Sequence, residues 1–196
     1  MKINDFTGFV LVGGKSSRMG MDKFTLKFGG KTFLEHAVDT LKPICQTVKI
    51  VLNQTQTIET IQPIIRDIYG ERGAPGGIHA GLINCPTKFA VFLAIDLPFV
   101  TTDTVEKIIK NVYLFDEYDA FVPRQNNERA QPLCAVYRVK DCLPPLEKLL
   151  NETVSASVGD FLNRINVKFI EERNLDSDEK LFCNINRPAD FDKITD

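Results

Sequence analysis

Residues 8–23 read GFVLVGGKSSRMGMDK, and their interpretation decides the fold. Gly8 to Val12 form a short run rich in apolar residues, with no polar alternation. Such a run suits a strand covered on both faces, as in a parallel sheet. The eleven residues that follow hold three glycines, three basic residues and two serines. The middle, Gly14-Lys15-Ser16, has the look of a P-loop, but the register fails. The motif G-x-x-x-x-G-K-[ST] needs its first glycine at position 9, which is Phe9. The dinucleotide fingerprint G-x-G-x-x-G fails too, because Gly13 and Gly14 are adjacent. The underlying physics still applies. A glycine-rich turn after a parallel strand exposes backbone N–H groups to an anion.

Strand and helix patterns alternate beyond this loop. Residues 32–42, TFLEHAVDTLK, place Phe33, Leu34, Ala37, Val38 and Leu41 at helical spacing before Pro43. Strands are expected at 47–53 and 63–67. The segment 71–82, ERGAPGGIHAGL, is glycine-rich and opens a helix in its second half. Residues 88–95, KFAVFLAI, are the most apolar of the chain and end in Asp96-Leu97-Pro98. A helix starting at Thr101 carries Val105, Ile108, Ile109 and Val112 on one face. YDAFVPR and PLCAVYRV read as strands around the polar loop QNNERAQ. CLPPLEKLLNE and SVGDFLNRI read as helices, VKFIEE as a strand, and FCNINRPADFDKI as a strand end leading into a short helix. The order predicts a three-layer α/β/α fold with a mostly parallel sheet. No repeat or linker interrupts it, so residues 1–196 are expected to form one domain.

The 196 residues suffice for a core without metal or disulfide staples. The net charge of −2 argues against nucleic-acid or membrane surfaces, which rely on summed positive potential. Residues 1–31 are locally basic, with Lys2, Lys15, Arg18, Lys23, Lys27 and Lys31 against Asp5 and Asp22. That pattern suits a small anionic ligand. The five scattered cysteines form no C-x-x-C pair and read as free thiols of a cytoplasmic protein. No apolar run approaches the ~20 residues of a membrane span.

Read whole, the loop resembles the nucleotidyltransferase signature L-x-G-G-x-S-x-R-M-G-x-D-K. The match comprises Leu11, Gly13, Gly14, Ser16, Arg18, Met19, Gly20, Asp22 and Lys23. The chain most resembles the molybdenum cofactor guanylyltransferases among these Rossmann-like, MobA-like enzymes. Gly73-Ala74-Pro75-Gly76-Gly77 with Ala80-Gly81-Leu82 is similar to the family's G-P-L-x-G…G-L segment, with the proline displaced by one. Ala94-Ile95-Asp96-Leu97-Pro98-Phe99 is similar to its C-D-x-P-[FY] strand end. Gln131-Pro132-Leu133 is similar to its H/Q-P strand start, and Asn184-Ile185-Asn186-Arg187-Pro188 to its N-[IV]-N-T-P. Two departures stand out. Val12 replaces the usual alanine, where a branched side chain would narrow the base pocket. Arg187 replaces threonine.

The resemblance implies transfer of GMP from GTP to the phosphate of molybdopterin, releasing pyrophosphate. The N-terminal half would bind the nucleotide and the C-terminal half the acceptor. Asp96 would hold Mg²⁺, which accepts a few carboxylates plus phosphate oxygens and water. Arg18 and Lys23 would neutralise the triphosphate, with Lys15 a further phosphate contact. Leu11, Val12, Gly13, Gly14, Asn53 and Asp67 would hold the base and nucleotide, and Asn184 and Asn186 the pterin. Catalysis would rest on positioning and electrostatics, since the acceptor phosphate is already ionised. Other cofactor-biosynthesis proteins and acceptor molybdoenzymes are implied partners. The alternatives are a cytidylyltransferase for the same cofactor, a sugar-phosphate nucleotidyltransferase, or a GTP-binding module without turnover. His36 and His79 read as structural.

Overall fold

The computed structural model describes residues 3–12, 26–70, 72–176 and 180–185. Strand β1 (Phe6–Leu11) is an interior strand, third of seven, in the main sheet. A two-stranded ribbon follows, β2 (Lys27–Phe28) and β3 (Lys31–Thr32). Its turn is Gly29-Gly30, both at positive φ (56° and 85°), which a side chain would resist. Helix α1 (Phe33–Leu41) starts with a capping box, Thr32 and Glu35 each accepting from the other's backbone N–H. His36 Nε2 lies 2.6 Å from Phe28 O and ties the helix to the ribbon.

Strands β4 (Thr47–Leu52) and β5 (Ile64–Arg66) come next, then α2 (Ala74–Ile83), β6 (Phe89–Ala94) and α3 (Thr102–Leu114). The second half holds β7 (Ala120–Arg124), β8 (Cys134–Arg138), α4 (Val139–Glu152), α5 (Val158–Leu162) and β9 (Val167–Glu171). The sheet order is β5-β4-β1-β6-β8-β7-β9, and only β8 runs antiparallel to its neighbours.

Period-two alternation on β1 splits the core into two layers. Phe6, Val10 and Val12 face the layer containing residues of α1 and α3; Phe9 and Leu11 face that containing residues of α2, α4 and α5. Gly8 is a packing residue rather than a phosphate-loop glycine. A Cβ there would lie 3.2 Å from both Leu41 Cδ1 and Cys45 Sγ. Cys45 and Cys134 are buried thiols, pushed up to about 12 by loss of water, and are therefore unreactive.

The expected elements appear with small shifts. The ribbon β2–β3 was not expected, because two-residue strands carry no periodicity. Helix α4 starts at Val139, three residues before Cys142. Residues 180–185 form turns and irregular backbone, without the strand end expected there. Ile185 N–H instead donates to Asp96 O at 3.1 Å.

Candidate active site

Among the described strands of the sheet, every parallel one ends at one edge and β8 begins there. Ligands of open α/β sheets bind beyond the carboxyl ends, where strand order reverses. That reversal lies at β1, flanked by β4 on one side and β6 on the other. The residues on this edge, in order across the sheet, are Asp67, Asn53, Val12, Asp96, Gln131 and Arg124. From β5 to β6 is three strand spacings, roughly 14 Å.

Asp96 sits in the turn just after β6 and is half-buried. The apolar residues around it, Ile95 and Leu97, are buried. Ile95 N–H donates to Leu11 O (3.2 Å), Leu97 N–H to Ala94 O (3.4 Å), and Asp96 O receives Ile185 N–H. The local sequence thus fixes the backbone on both sides of the carboxylate. It also brings Asn184, half-buried, beside the strand end. Among the described residues, no cluster of three or more His, Cys, Asp or Glu could cage a metal. A single carboxylate with phosphate oxygens and water is the donor set that Mg²⁺ accepts, and Asp96 fits it.

Leu11 and Val12 close the end of β1. Val12 N–H donates to Val51 O at 3.1 Å. Val12 is buried in the core layer of α1 and α3. The expected narrowing of the base pocket by its branched side chain is therefore corrected: the added methyls fill core. Leu11 Cδ2 lies 3.3 Å from where a Gly77 Cβ would stand, so β1 and the first turn of α2 pack closely.

Asn53 follows β4 and organises its own turn. Its Oδ1 accepts from Thr55 N (3.0 Å), Gln56 N (2.9 Å) and Thr55 Oγ1 (3.1 Å). Asp67 follows β5 and is buried; its N–H donates to Leu52 O at 2.9 Å. Asp67 Oδ1 accepts from Tyr69 N at 2.8 Å. Its Oδ2 lies 2.4 Å from the position of a Gly76 Cβ. The carboxylate thus closes on the first turns of α2, where partial positive charge favours an anion. Glycine at 76 is what permits that approach. The geometry gives Asp67 a role in joining β5 to α2, whatever it offers a base.

On the far side, Arg124 at the end of β7 pairs with Glu171 (2.6 Å) and Glu128 (2.9 Å). Gln131 is buried and donates from Nε2 to Gln125 Oε1 at 2.8 Å. Glu172, buried just beyond β9, accepts Asn126 N–H on Oε2 at 3.2 Å, while its Oε1 has no hydrogen-bond partner among the described residues. None of these roles is legible in the sequence; only the Gln131-Pro132-Leu133 motif marks the place.

Gly13, Gly14, Lys15, Arg18, Lys23 and Asn186 lie outside the described residues. His79 is 1% exposed, with Nε2 3.4 Å from Glu147 Oε1 and its ring edge-on to Tyr69. His79 bridges α2 and α4 and is absent from the edge.

Comparison with known proteins accords with this geometry. A family model described as the MobA-like NTP transferase domain matches residues 8–166. A probable molybdenum cofactor guanylyltransferase of Geobacillus sp. is 30% identical over 98% of this chain and 99% of its own. The molybdenum cofactor guanylyltransferase of Desulfosudis oleivorans is 32% identical over 95% of this chain and 93% of its own. Among solved structures, molybdopterin-guanine dinucleotide biosynthesis protein A from Archaeoglobus fulgidus superposes with a TM-score of 0.80 at 27% identity, covering 95% of both chains. The 2-C-methyl-D-erythritol 4-phosphate cytidylyltransferase of Thermus thermophilus shares the fold at 13% identity and a TM-score of 0.68, covering 94% of this chain and 95% of that one. With a ligand edge at the strand reversal and a family match across most of its length, this chain belongs to the MobA-like NTP transferase family and is a nucleotidyltransferase.

Proposed function

We propose that this chain transfers GMP from GTP to the phosphate of molybdopterin, giving the guanine dinucleotide form of the cofactor and pyrophosphate. The carrying observation is that one sheet edge gathers the ends of β1, β4, β5 and β6 with Asp96, and that Ile185 docks Asn184 beside it. Full-length likeness to proteins named for this activity supports the choice of substrates. An acceptor phosphate oxygen attacks the α-phosphorus, a P–O–P bond forms, and the α–β bond breaks with pyrophosphate leaving. No protein nucleophile or base is needed, because the attacking oxygen is already ionised.

Asp96 would hold Mg²⁺, whose charge supplies stabilisation of the phosphates when bound. Arg18 and Lys23 neutralise the leaving pyrophosphate, with Lys15 as a further phosphate contact. Backbone groups of Leu11 to Gly14, with Asn53 and Asp67, hold the nucleotide. Asn184 and Asn186 hold the acceptor. The reaction belongs to the cytoplasm, with cofactor-biosynthesis proteins supplying the acceptor and molybdoenzymes receiving the product.

Thermal shift with the four ribonucleoside triphosphates and Mg²⁺ tests this reading. GTP should give the largest shift, since a ligand at a hundredfold excess over Kd stabilises by about 2.7 kcal/mol. A larger CTP shift would move the assignment to a cytidylyltransferase of the same family.

A further inference from the structure

We infer that Arg66 is a positioning residue for the nucleotide base, clipping the 53–56 turn so that Asn53 presents its amide N–H donors. The inference rests on the guanylyl-transfer reading above. Arg66 closes β5 and is exposed, so at first sight it is one more solvated charge on a sheet edge. Its Nη1, however, donates to Asn53 O (2.9 Å) and Gln56 O (2.9 Å), with a weaker contact to Gln54 O (3.4 Å). One nitrogen with two N–H groups thus gathers the carbonyls of a four-residue turn. Charge-assisted bonds of this kind are stronger than neutral ones.

The turn that Arg66 clips is built around Asn53. Three donors converge on Asn53 Oδ1, and Asn53 N–H donates to Gln56 Oε1 at 3.3 Å. The backbone oxygen goes to Arg66. The amide cannot flip without losing three hydrogen bonds, so its oxygen is committed to the turn and Nδ2 is the group the turn leaves over. Two N–H donors recognise a base acceptor, a ring nitrogen or carbonyl oxygen such as guanine O6 or N7. If the clip is released, three carbonyls return to water and the turn is free to reorganise. The donor polarity of Asn53 is then no longer fixed.

A second stitch runs beside the first. Gln54 Nε2 donates to Ile68 O at 3.4 Å, and Asp67 N–H to Leu52 O. Arg66 is therefore the charged member of a set of bonds that joins the residues after β4 to those after β5. It acts on the ligand through Asn53 and makes no contact with the reacting phosphates.

The test is calorimetric titration of the full-length chain with GTP, and with inorganic triphosphate as a probe that has no base. Arg66→Ala should weaken GTP about tenfold while leaving inorganic triphosphate within about twofold. Arg66→Lys keeps the charge but replaces the planar fork with a point donor, and should fall between. Asn53→Ala with Arg66→Ala should bind GTP no more weakly than Asn53→Ala alone, because the two act as one unit. Unchanged GTP binding in Arg66→Ala, equal weakening of inorganic triphosphate, or additive effects in the double variant would overturn the inference. Should Arg66→Ala lower the melting temperature, Arg66→Lys carries the comparison. A wild-type preference for CTP would refute the guanylyl reading, and the same variants titrated with CTP would still decide the role of Arg66. A wild type that binds no triphosphate removes both.

Discussion

The half of the sheet running β5-β4-β1-β6 is wholly parallel, and the described segments after β4 and β5 are joined mainly by bonds to backbone groups. The side chains of Asn53, Gln54 and Asp67 all bond to main-chain partners, and Arg66 clips the 53–56 turn. The half running β8-β7-β9 contains the antiparallel strand, and its edge is pinned by carboxylates. Arg124 sits between Glu128 and Glu171, and Glu172 holds the Asn126 amide. A surface that must read a base needs donors and acceptors fixed in direction, which short loops bonded to backbone provide. Partly exposed ion pairs hold a loop in place with less directional demand, and contribute about 0–1 kcal/mol each. Changes in the first half should therefore appear in ligand binding, and changes in the second in stability.

The largest effect is expected where the two halves meet. Asp96→Ala should lower pyrophosphate release by about 10²–10³-fold with little change in melting temperature. Asp96 is half-buried in a turn whose buried anchors are Ile95 and Leu97. Retained activity would remove Asp96 from the metal site. Next is Gly76→Ala, whose Cβ would meet Asp67 Oδ2 at 2.4 Å. It should cost about 1–3 kcal/mol in chemical denaturation and weaken GTP binding together with it. Normal GTP affinity in a destabilised variant would show that Asp67 serves structure alone.

A smaller effect, and one confined to stability, is expected in the half running β8-β7-β9. Glu172→Ala leaves the Asn126 amide without its acceptor and should cost about 1–3 kcal/mol. Glu172→Gln keeps an acceptor oxygen and places a neutral amide where Oε1 has no hydrogen-bond partner among the described residues, so it should be as stable as wild type or more so. Loss of GTP affinity in either variant would contradict the division between the halves. The smallest effect is at α1. Hydrogen bonds from Thr32 hold the Glu35 carboxyl below its ordinary value of 4.5. A depressed folded pKa means that the contribution is present above that value and fades as pH falls through the lower one. The stability gap between wild type and Glu35→Gln should therefore close across about pH 5 to 3. A gap constant with pH would deny the cap its charge.

Much of the first half was legible in the sequence. The five-residue run before Gly13 and the long run ending at Asp96 are strands buried on both faces, and their apolar character says so directly. Asp96-Leu97-Pro98 marks a strand end because proline cannot continue the ladder. The three-layer architecture follows from the alternation of such runs with amphipathic helices. The supports of the site were not legible. Arg66 is exposed on a three-residue strand and looks solvated; its work appears only when the 53–56 turn folds back over it. Gly76 matters for the carboxylate above it, nine residues earlier in the chain. Glu172 meets Asn126, remote in sequence, so no local pattern marks it; Gln131 is marked only by the Gln131-Pro132-Leu133 motif, which does not tell its bond to Gln125. Val12 shows the opposite error. A departure from a family motif suggested a narrowed pocket, but strand alternation turns that side chain into the core.

Pyrophosphate release measures the proposed guanylyl transfer to a phosphorylated pterin directly. With Mg²⁺ and molybdopterin, the wild-type chain should release pyrophosphate from GTP, with little or none from ATP, CTP or UTP and none when the pterin is omitted. Release from CTP in preference to GTP, or release from GTP that does not depend on molybdopterin, would contradict the account.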